Sequence, residues 1–196
     1  MSATRFVRTL PSGRTHLDQL ARPLDALYAQ TDRLDRWGRE LAHVLQSGGR
    51  LLAIGNGGSA CQAQHLTAEI VGRYRDDRAP FAALALCTET SALTAIGNDY
   101  GIEELFARQV RGHGREGDVL LALSTSGRSP NIVGAVEAAN ALGLRTLALT
   151  GPSDNPLADV ADDAVCIESP HTATVQELHL MAIHLVCAAF DIEVGV

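Results

Sequence analysis

RLLAIGNGGSACQAQHLTAEIVGRY, residues Arg50–Tyr74, is the stretch on which the reading of this chain turns. It opens with an apolar run of strand length, Leu51–Ile54. A glycine-rich turn follows, Gly55-Asn56-Gly57-Gly58-Ser59. The next segment has helical character and carries His65 and Glu69 four residues apart. That spacing places an imidazole and a carboxylate on one helix face, a turn from each other. Strand, glycine turn and helix make half of an α/β ligand site.

The flanking sequence completes the architecture. Phe81–Leu86, Asp118–Leu123, Arg145–Thr150 and Ala164–Ile167 read as four more strands. Thr88–Ile96, Ile102–Val110, Pro130–Leu142 and Thr172–Phe190 read as helices. Arg75–Pro80 reads as a charged loop, Gly97–Gly101 as a tight polar turn, and Arg111–Glu116 and Gly151–Pro156 as further loops. Strands alternating with helices predict a parallel sheet covered on both sides, a three-layer α/β sandwich. Upstream, Leu17, Leu20, Leu24, Leu27, Leu34, Trp37, Leu41 and Val44 recur at helical spacing. They predict one broken helix or two over 16–46, interrupted early by Pro23 and ended at Ser47-Gly48-Gly49. This extra layer needs a partner for its apolar face, either the sheet-covering helices or a second subunit. Residues 1–15 are expected to be a flexible arm, and 16–196 a single domain.

Composition narrows the function. The 196 residues carry a formal charge of −7, which argues against nonspecific nucleic-acid binding. All sixteen basic residues are arginine, so lysine Schiff-base chemistry and the P-loop lysine are excluded. No apolar run suggests a membrane span, and the arginine-bearing N-terminus lacks the apolar segment of a secretory signal, so a cytoplasmic protein is expected. Cys61, Cys87, Cys166 and Cys187 form no CxxC pair. The last three stand in apolar surroundings and are expected to be buried thiols, with Cys61 beside the glycine turn.

Two loops at the carboxyl ends of predicted strands stand out. Gly55–Ser59 lets the backbone approach a ligand closely. Ser124-Thr125-Ser126-Gly127-Arg128-Ser129 places four hydroxyls in six residues directly before a helix. Hydroxyls, free N–H groups and a helix N-terminus together make a phosphate cradle that needs no cation. The glycine loop lacks the third glycine of GxGxxG, so a dinucleotide is poorly supported. The last helix adds Gln176, Glu177, His179 and His184. His184 can share a site with either Gln176 or Glu177, while His179 points away. Imidazoles and a carboxylate of this kind suit a divalent metal or acid–base work.

These motifs stand together in one order: GNGGS, HxxxE followed by GRY, GND at 97–99, STSGxS at 124–129 and QExHxxxxH at 176–184. In that order the chain resembles the SIS-fold sugar-phosphate isomerases, specifically the sedoheptulose 7-phosphate isomerases, from about Gly48 to Val186. The resemblance implies flavodoxin-like winding of the sheet and a homotetramer with sites at subunit interfaces. It implies substrate contacts from Asn56, Gly57, Gly58, Ser59, Glu69, Asn98, Asp99, Ser124, Thr125, Ser126, Ser129 and Gln176. It also implies a zinc set of His65, Glu69, Gln176 and His184, so it chooses Gln176 over Glu177. Glu69 takes the role of general base and His184 that of acid. The reaction implied moves a proton between C1 and C2 through an enediol, yielding D-glycero-D-manno-heptose 7-phosphate.

Some relatives of this fold are binding proteins that associate with the replication initiator. They are similar here in LTAIGND and Gln64 but lose the residues corresponding to Glu69 and His184. This chain keeps both, which favours the enzyme. Gln62 stands where isomerases often carry aspartate, and positive charge near the cradle would have to come from Arg73 or Arg128.

Overall fold

A computed structural model describes residues 13–196. Most of the arm expected at 1–15 lies outside the described residues, and Gly13, Arg14 and Thr15 are helical, opening α1. Five strands, β1 (Leu51–Gly55), β2 (Ala83–Ala85), β3 (Val119–Ser124), β4 (Arg145–Thr150) and β5 (Asp163–Cys166), pair in parallel in the order β2-β1-β3-β4-β5. That order is the flavodoxin-like winding, whose ligand crevice opens at the carboxyl ends where β1 meets β3. Register brings Gly55 beside Leu123 and Ser124 beside Thr150, so the loops after β1 and β3 are neighbours.

β1 and β3 are buried along their whole length, as a parallel sheet covered on both faces requires. Side chains alternate between two cores. Leu51, Ala53, Leu121 and Leu123 face one, while Leu52, Ile54, Leu120 and Ala122 face the other. The first core is closed by α2 (Thr31–Gln46), α3 (Gly58–Val71) and α8 (Thr172–Val194). The second is closed by α5 (Ala107–His113), α6 (Pro130–Ala141) and α7 (Pro156–Val160).

The N-terminal layer is two helices, but the break is not at Pro23. α1 (Gly13–Tyr28) continues through that proline, which is buried, and ends at Tyr28. Thr31 then bonds its hydroxyl back to the Tyr28 carbonyl at 3.0 Å as α2 begins. α2 buries Leu34, Trp37, Gly38, Leu41, Ala42 and Leu45, a helical stripe, and packs chiefly on α8. Contact is closest at Gly38, where an added Cβ would stand 2.6 Å from the Val186 carbonyl. Within this chain, then, α2 finds its cover on α8, whereas Leu17, Leu24 and Tyr28 of α1 remain exposed.

Several expected boundaries shift. Asn98 and Asp99 belong to the last turn of α4 (Thr90–Asp99) rather than to a loop, and the chain turns only at Tyr100-Gly101. Residues 102–104 form a 3-10 turn ahead of α5, which takes in Arg111–His113 from the expected loop. α7 was not expected; Asn155 caps it by accepting from the Ala158 N–H at 3.0 Å. Among the cysteines only Cys187 is fully buried; Cys87 and Cys166 are half-buried and Cys61 is exposed. Met181 of α8 (Thr172–Val194) is 41% exposed. α8 is long and apolar enough to cross a bilayer, contrary to the sequence expectation, yet it is the core helix of the first layer, burying Leu178, Ala182, Val186 and Phe190.

His179 ties α8 to the sheet. It is fully buried, and because a carbonyl can only accept, its Nε2–H donates to Thr150 O at 3.1 Å. Burial lowers its pKa from 6.5 to about 4, opposed by that hydrogen bond. The unfolded chain therefore binds a proton between these values that the folded chain refuses. His179's contribution is complete above pH 6.5 and declines towards pH 4, by on the order of 3 kcal/mol. Denaturant titrations across this window should show a flatter decline in His179→Asn than in the wild type; parallel curves would remove His179 as the source.

Candidate functional site

The hydroxyl-rich loop lies where the sequence places it, between β3 and α6. Ser124 ends β3, and Ser129 and Pro130 begin α6, so the loop between them lies over a helix N-terminus. Within it the Gly127 N–H donates to Ser124 Oγ at 3.2 Å, and the Arg128 N–H to Ser126 Oγ at 3.2 Å. Gly127 has φ +62°, and a Cβ there would stand 1.9 Å from Asn155 Oδ1, so the turn accepts glycine alone. Asn155 supports the cradle from behind, with Thr150 Oγ1 3.3 Å from its Oδ1.

A cavity of about 60 Å³ opens over this loop, lined by Asn56, Ser59, Ser124, Thr125, Ser126, Ser129 and Gln176. The glycine loop is tied to the cradle by Asn56 and Asn131, whose amides each donate to the other's Oδ1, at 2.9 and 3.0 Å. Asn131, on the first turn of α6, was not singled out from sequence; nothing in its immediate context distinguishes it from an ordinary helix residue. Gly58, the first residue of α3, lies against the Gln176 amide: a Cβ there would come within 2.5 Å of it. Arg128, one of the two cations expected to contribute, is turned to the Asp154 carbonyl, and Arg73 donates to the Arg75 carbonyl at 3.1 Å.

The second group lies between α3 and α8. His65 Nε2 is 3.0 Å from His184 Nε2 and 3.3 Å from Glu69 Oε1. Burial, then the neighbouring His65, lowers the pKa of His184, opposed by Glu69. Tyr74, the tyrosine of the GRY motif, sets its ring 5.5 Å from that of His184. Donor atoms of His65, Glu69 and His184 all lie within 4.8 Å of one another. Ligands of a tetrahedral zinc, each at about 2.0–2.1 Å, stand roughly 3.4 Å apart, so this trio fits such an ion. Gln176, the fourth expected member, instead has its amide at the glycine loop, about 12 Å of helix rise from His184. Its neighbour Glu177 pairs with His16 of α1 at 2.8 Å, away from the cluster.

Asn98 and Asp99 are exposed at the end of α4, the Asn98 amide donating to the Asp99 carboxylate at 2.7 Å, and they do not line the cavity. A larger groove of about 480 Å³, lined by Trp37, Glu40, Arg145 and Asp163 among others, lies on the α2 side, far from these loops. It is shallow, and Arg145 within it is committed to Glu40 at 2.8 Å, so its size does not mark it as the site.

The hydroxyl-rich loop and the glycine loop stand at the carboxyl end of a parallel sheet, where this winding opens its ligand crevice, and the carboxylate–imidazole cluster lies further along α3 and α8; the fold and these loops are those of the SIS class. In agreement, the SIS-domain family profile matches residues 15–151. A phosphoheptose isomerase of Streptomyces coelicolor is 61% identical over 176 residues, 90% of this chain and 76% of that protein. Solved phosphoheptose isomerases from Neisseria gonorrhoeae and Francisella tularensis superpose with TM-scores of 0.83 and 0.85, at 40% and 32% identity. Each comparison covers 91% of this chain, and 96% and 95% of those chains respectively. The chain belongs to the SIS-domain family and, within it, to the phosphoheptose isomerases.

If the loop at 124–129 is the anion anchor, Ser124→Ala combined with Ser126→Ala should raise KM for a sugar phosphate by at least tenfold while the unfolding midpoint moves little. An unchanged KM would remove the cradle from substrate binding.

Proposed function

We propose that this isomerase converts D-sedoheptulose 7-phosphate to D-glycero-D-manno-heptose 7-phosphate. The observation that carries the reading is the Glu69 carboxylate held beside the His65 and His184 imidazoles, on the same two helices whose N-terminal residues Ser59 and Gln176 line the hydroxyl-rich cavity. An aldose–ketose isomerase needs one base able to lift a proton from C1 and return it to C2, with an acid at the oxygens. Glu69 takes the C1 proton, leaving a cis-enediol, and gives it back at C2. His184 donates to the C2 carbonyl oxygen as the enediol forms, and the C1 hydroxyl surrenders its proton as the aldehyde forms. His184 regains a proton from the C1 hydroxyl in that second half, so acid and base end each turnover as they began. The cradle residues Ser124, Thr125, Ser126 and Ser129 grip the phosphate at the far end of the chain, and Asn56, Gly57, Gly58 and Ser59 face the polyol, so remote binding orients the reacting carbons.

His65, Glu69 and His184 would hold one zinc ion per subunit; Gln176, about 12 Å of helix rise away at the glycine loop, stands outside this set in its own chain. Bound there, the metal supplies Lewis-acid polarisation of the sugar oxygens. Exposed Leu17, Leu24 and Tyr28 on α1, with Met181 and Ile192 on α8, are the apolar surface that a homotetramer would cover. In such an assembly Asn98 and Asp99 reach a neighbour's site, which accounts for their distance from the cavity of their own chain. Residues 16–196 then act as one SIS unit per subunit. Four free thiols and a phosphorylated substrate support the reading of a cytoplasmic enzyme, where thiols stay reduced. The replication-initiator-associating alternative has no use for a Glu69–His184 pair in contact with His65, and is not favoured.

Turnover with sedoheptulose 7-phosphate, beside ribulose and fructose phosphates, tests the substrate; equal or faster turnover of a shorter sugar would overturn it. Glu69→Gln should lower kcat at least a thousandfold with a native unfolding curve, and near-normal turnover would sink the base assignment. Metal analysis of the purified protein should find close to one zinc per chain, and removal by a chelator should slow the reaction. A metal-free protein of full activity would exclude the zinc set.

A further inference from the structure

Arg78 stands in the charged loop after α3, yet its side chain is only 3% exposed. Its guanidinium is fully engaged. One arm donates to the Glu69 carbonyl at 2.6 Å and the other to the Ile70 carbonyl at 2.9 Å, while Nε donates to Asp191 Oδ1 at 2.9 Å. The rings of Phe81 and Phe190 flank it, with the guanidinium carbon 5.5 and 5.1 Å from their centroids. α3 ends at Val71, so the Glu69 and Ile70 carbonyls are among the orphan acceptors of its last turn. A cation at a helix C-terminus is also favoured by the helix dipole. Asp191 belongs to α8, the helix that carries His184 two turns earlier. Arg78 is thus a bolt joining the backbone of Glu69 to the helix of its acid partner.

We infer that Arg78 is a positioning residue for the isomerisation. It fixes the backbone of Glu69 relative to His184, and so sets the base at the reacting carbons without touching substrate. The inference rests on the role given to Glu69 above. Lysine cannot replace it: an ammonium on a flexible stem keeps the charge opposite Asp191 but cannot hold two carbonyls and a carboxylate in one plane. Displacement of a catalytic group by about 1 Å can cost 100-fold in rate. The phosphate grip comes from another loop, so substrate binding should be spared.

The test measures kcat and KM for sedoheptulose 7-phosphate in four proteins: wild type, Glu69→Gln, Arg78→Lys and Leu144→Ala. Leu144 lies in the second core before β4, at the end of the strands opposite the site, and controls for lost stability alone. Arg78→Lys should lower kcat by 10- to 100-fold with KM within threefold of wild type, whereas Leu144→Ala should keep wild-type kcat despite a comparable fall in Tm. A kcat for Arg78→Lys equal to that of the control, with Glu69→Gln inactive, would overturn the positioning role and leave the base assignment standing. Full activity in Glu69→Gln would overturn both, and is distinguishable for that reason. Should Arg78→Lys fail to fold, Asp191→Asn releases one anchor of the same guanidinium. It should lower kcat severalfold at constant KM, and an unchanged kcat there overturns the inference.

Discussion

The contact on which the site depends is that of α3 with α8, two helices running side by side in the same direction. At their N-terminal ends the Gln176 amide lies against Gly58, close enough that no side chain fits between them. One turn on, the Gln62 amide donates to the Gln176 carbonyl. Further along, His65 meets His184 at 3.0 Å. At the far end Arg78 joins the Glu69 and Ile70 carbonyls to Asp191. Each contact lies one or two turns from the next, so a slide or rotation of either helix would break several at once. The sheet supplies the frame: β1 fixes where α3 begins, and the core beneath α8 fixes its depth.

The second constraint is chemical. With no lysine in the chain and Arg128 committed to a loop carbonyl, the donors that the 124–129 loop offers an anion are hydroxyls, backbone N–H groups and the start of α6. Such donors are fixed by the fold and need not be ordered when ligand arrives. Gly127 and Asn155 pre-shape the loop, and the Asn56–Asn131 amide pair locks it to the glycine turn.

What could be read from the chain alone follows physical lines. β1, β3 and β4 were legible because strands buried on both faces are continuous apolar runs. β2 is an edge strand and shrank to three residues, since only one neighbour holds it. α7 is five residues long, too short for periodicity to show. Gly97-Asn98-Asp99 has turn-forming residues, but α4 already had a capped start at Glu89 and ran on until Gly101, at φ +90°, ended it. The His65–Glu69 spacing was legible as a helix face. The choice between Gln176 and Glu177 was not, because helix angles admit both and the pairing of Glu177 with His16 is a tertiary contact across 161 positions. Arg78 was hidden for the same reason: between Asp77 and Ala79 it reads as a solvated loop residue, and only Asp191, 113 positions away, makes it a buried one.

The placement of the cradle has a further consequence. On the proposed reading its loop grips the end of the sugar that the reaction leaves untouched, so ketose and aldose would be held there by the same contacts. Such binding is uniform: it lowers the energy of substrate, enediol and product alike, and raises no preference among them. Discrimination between the two sugars must then arise at the glycine loop and the His65–Glu69–His184 cluster, where C1 and C2 differ. The equilibrium between free ketose and aldose is a property of the sugars alone, so net flow through the enzyme is set by whichever reaction next removes the aldose.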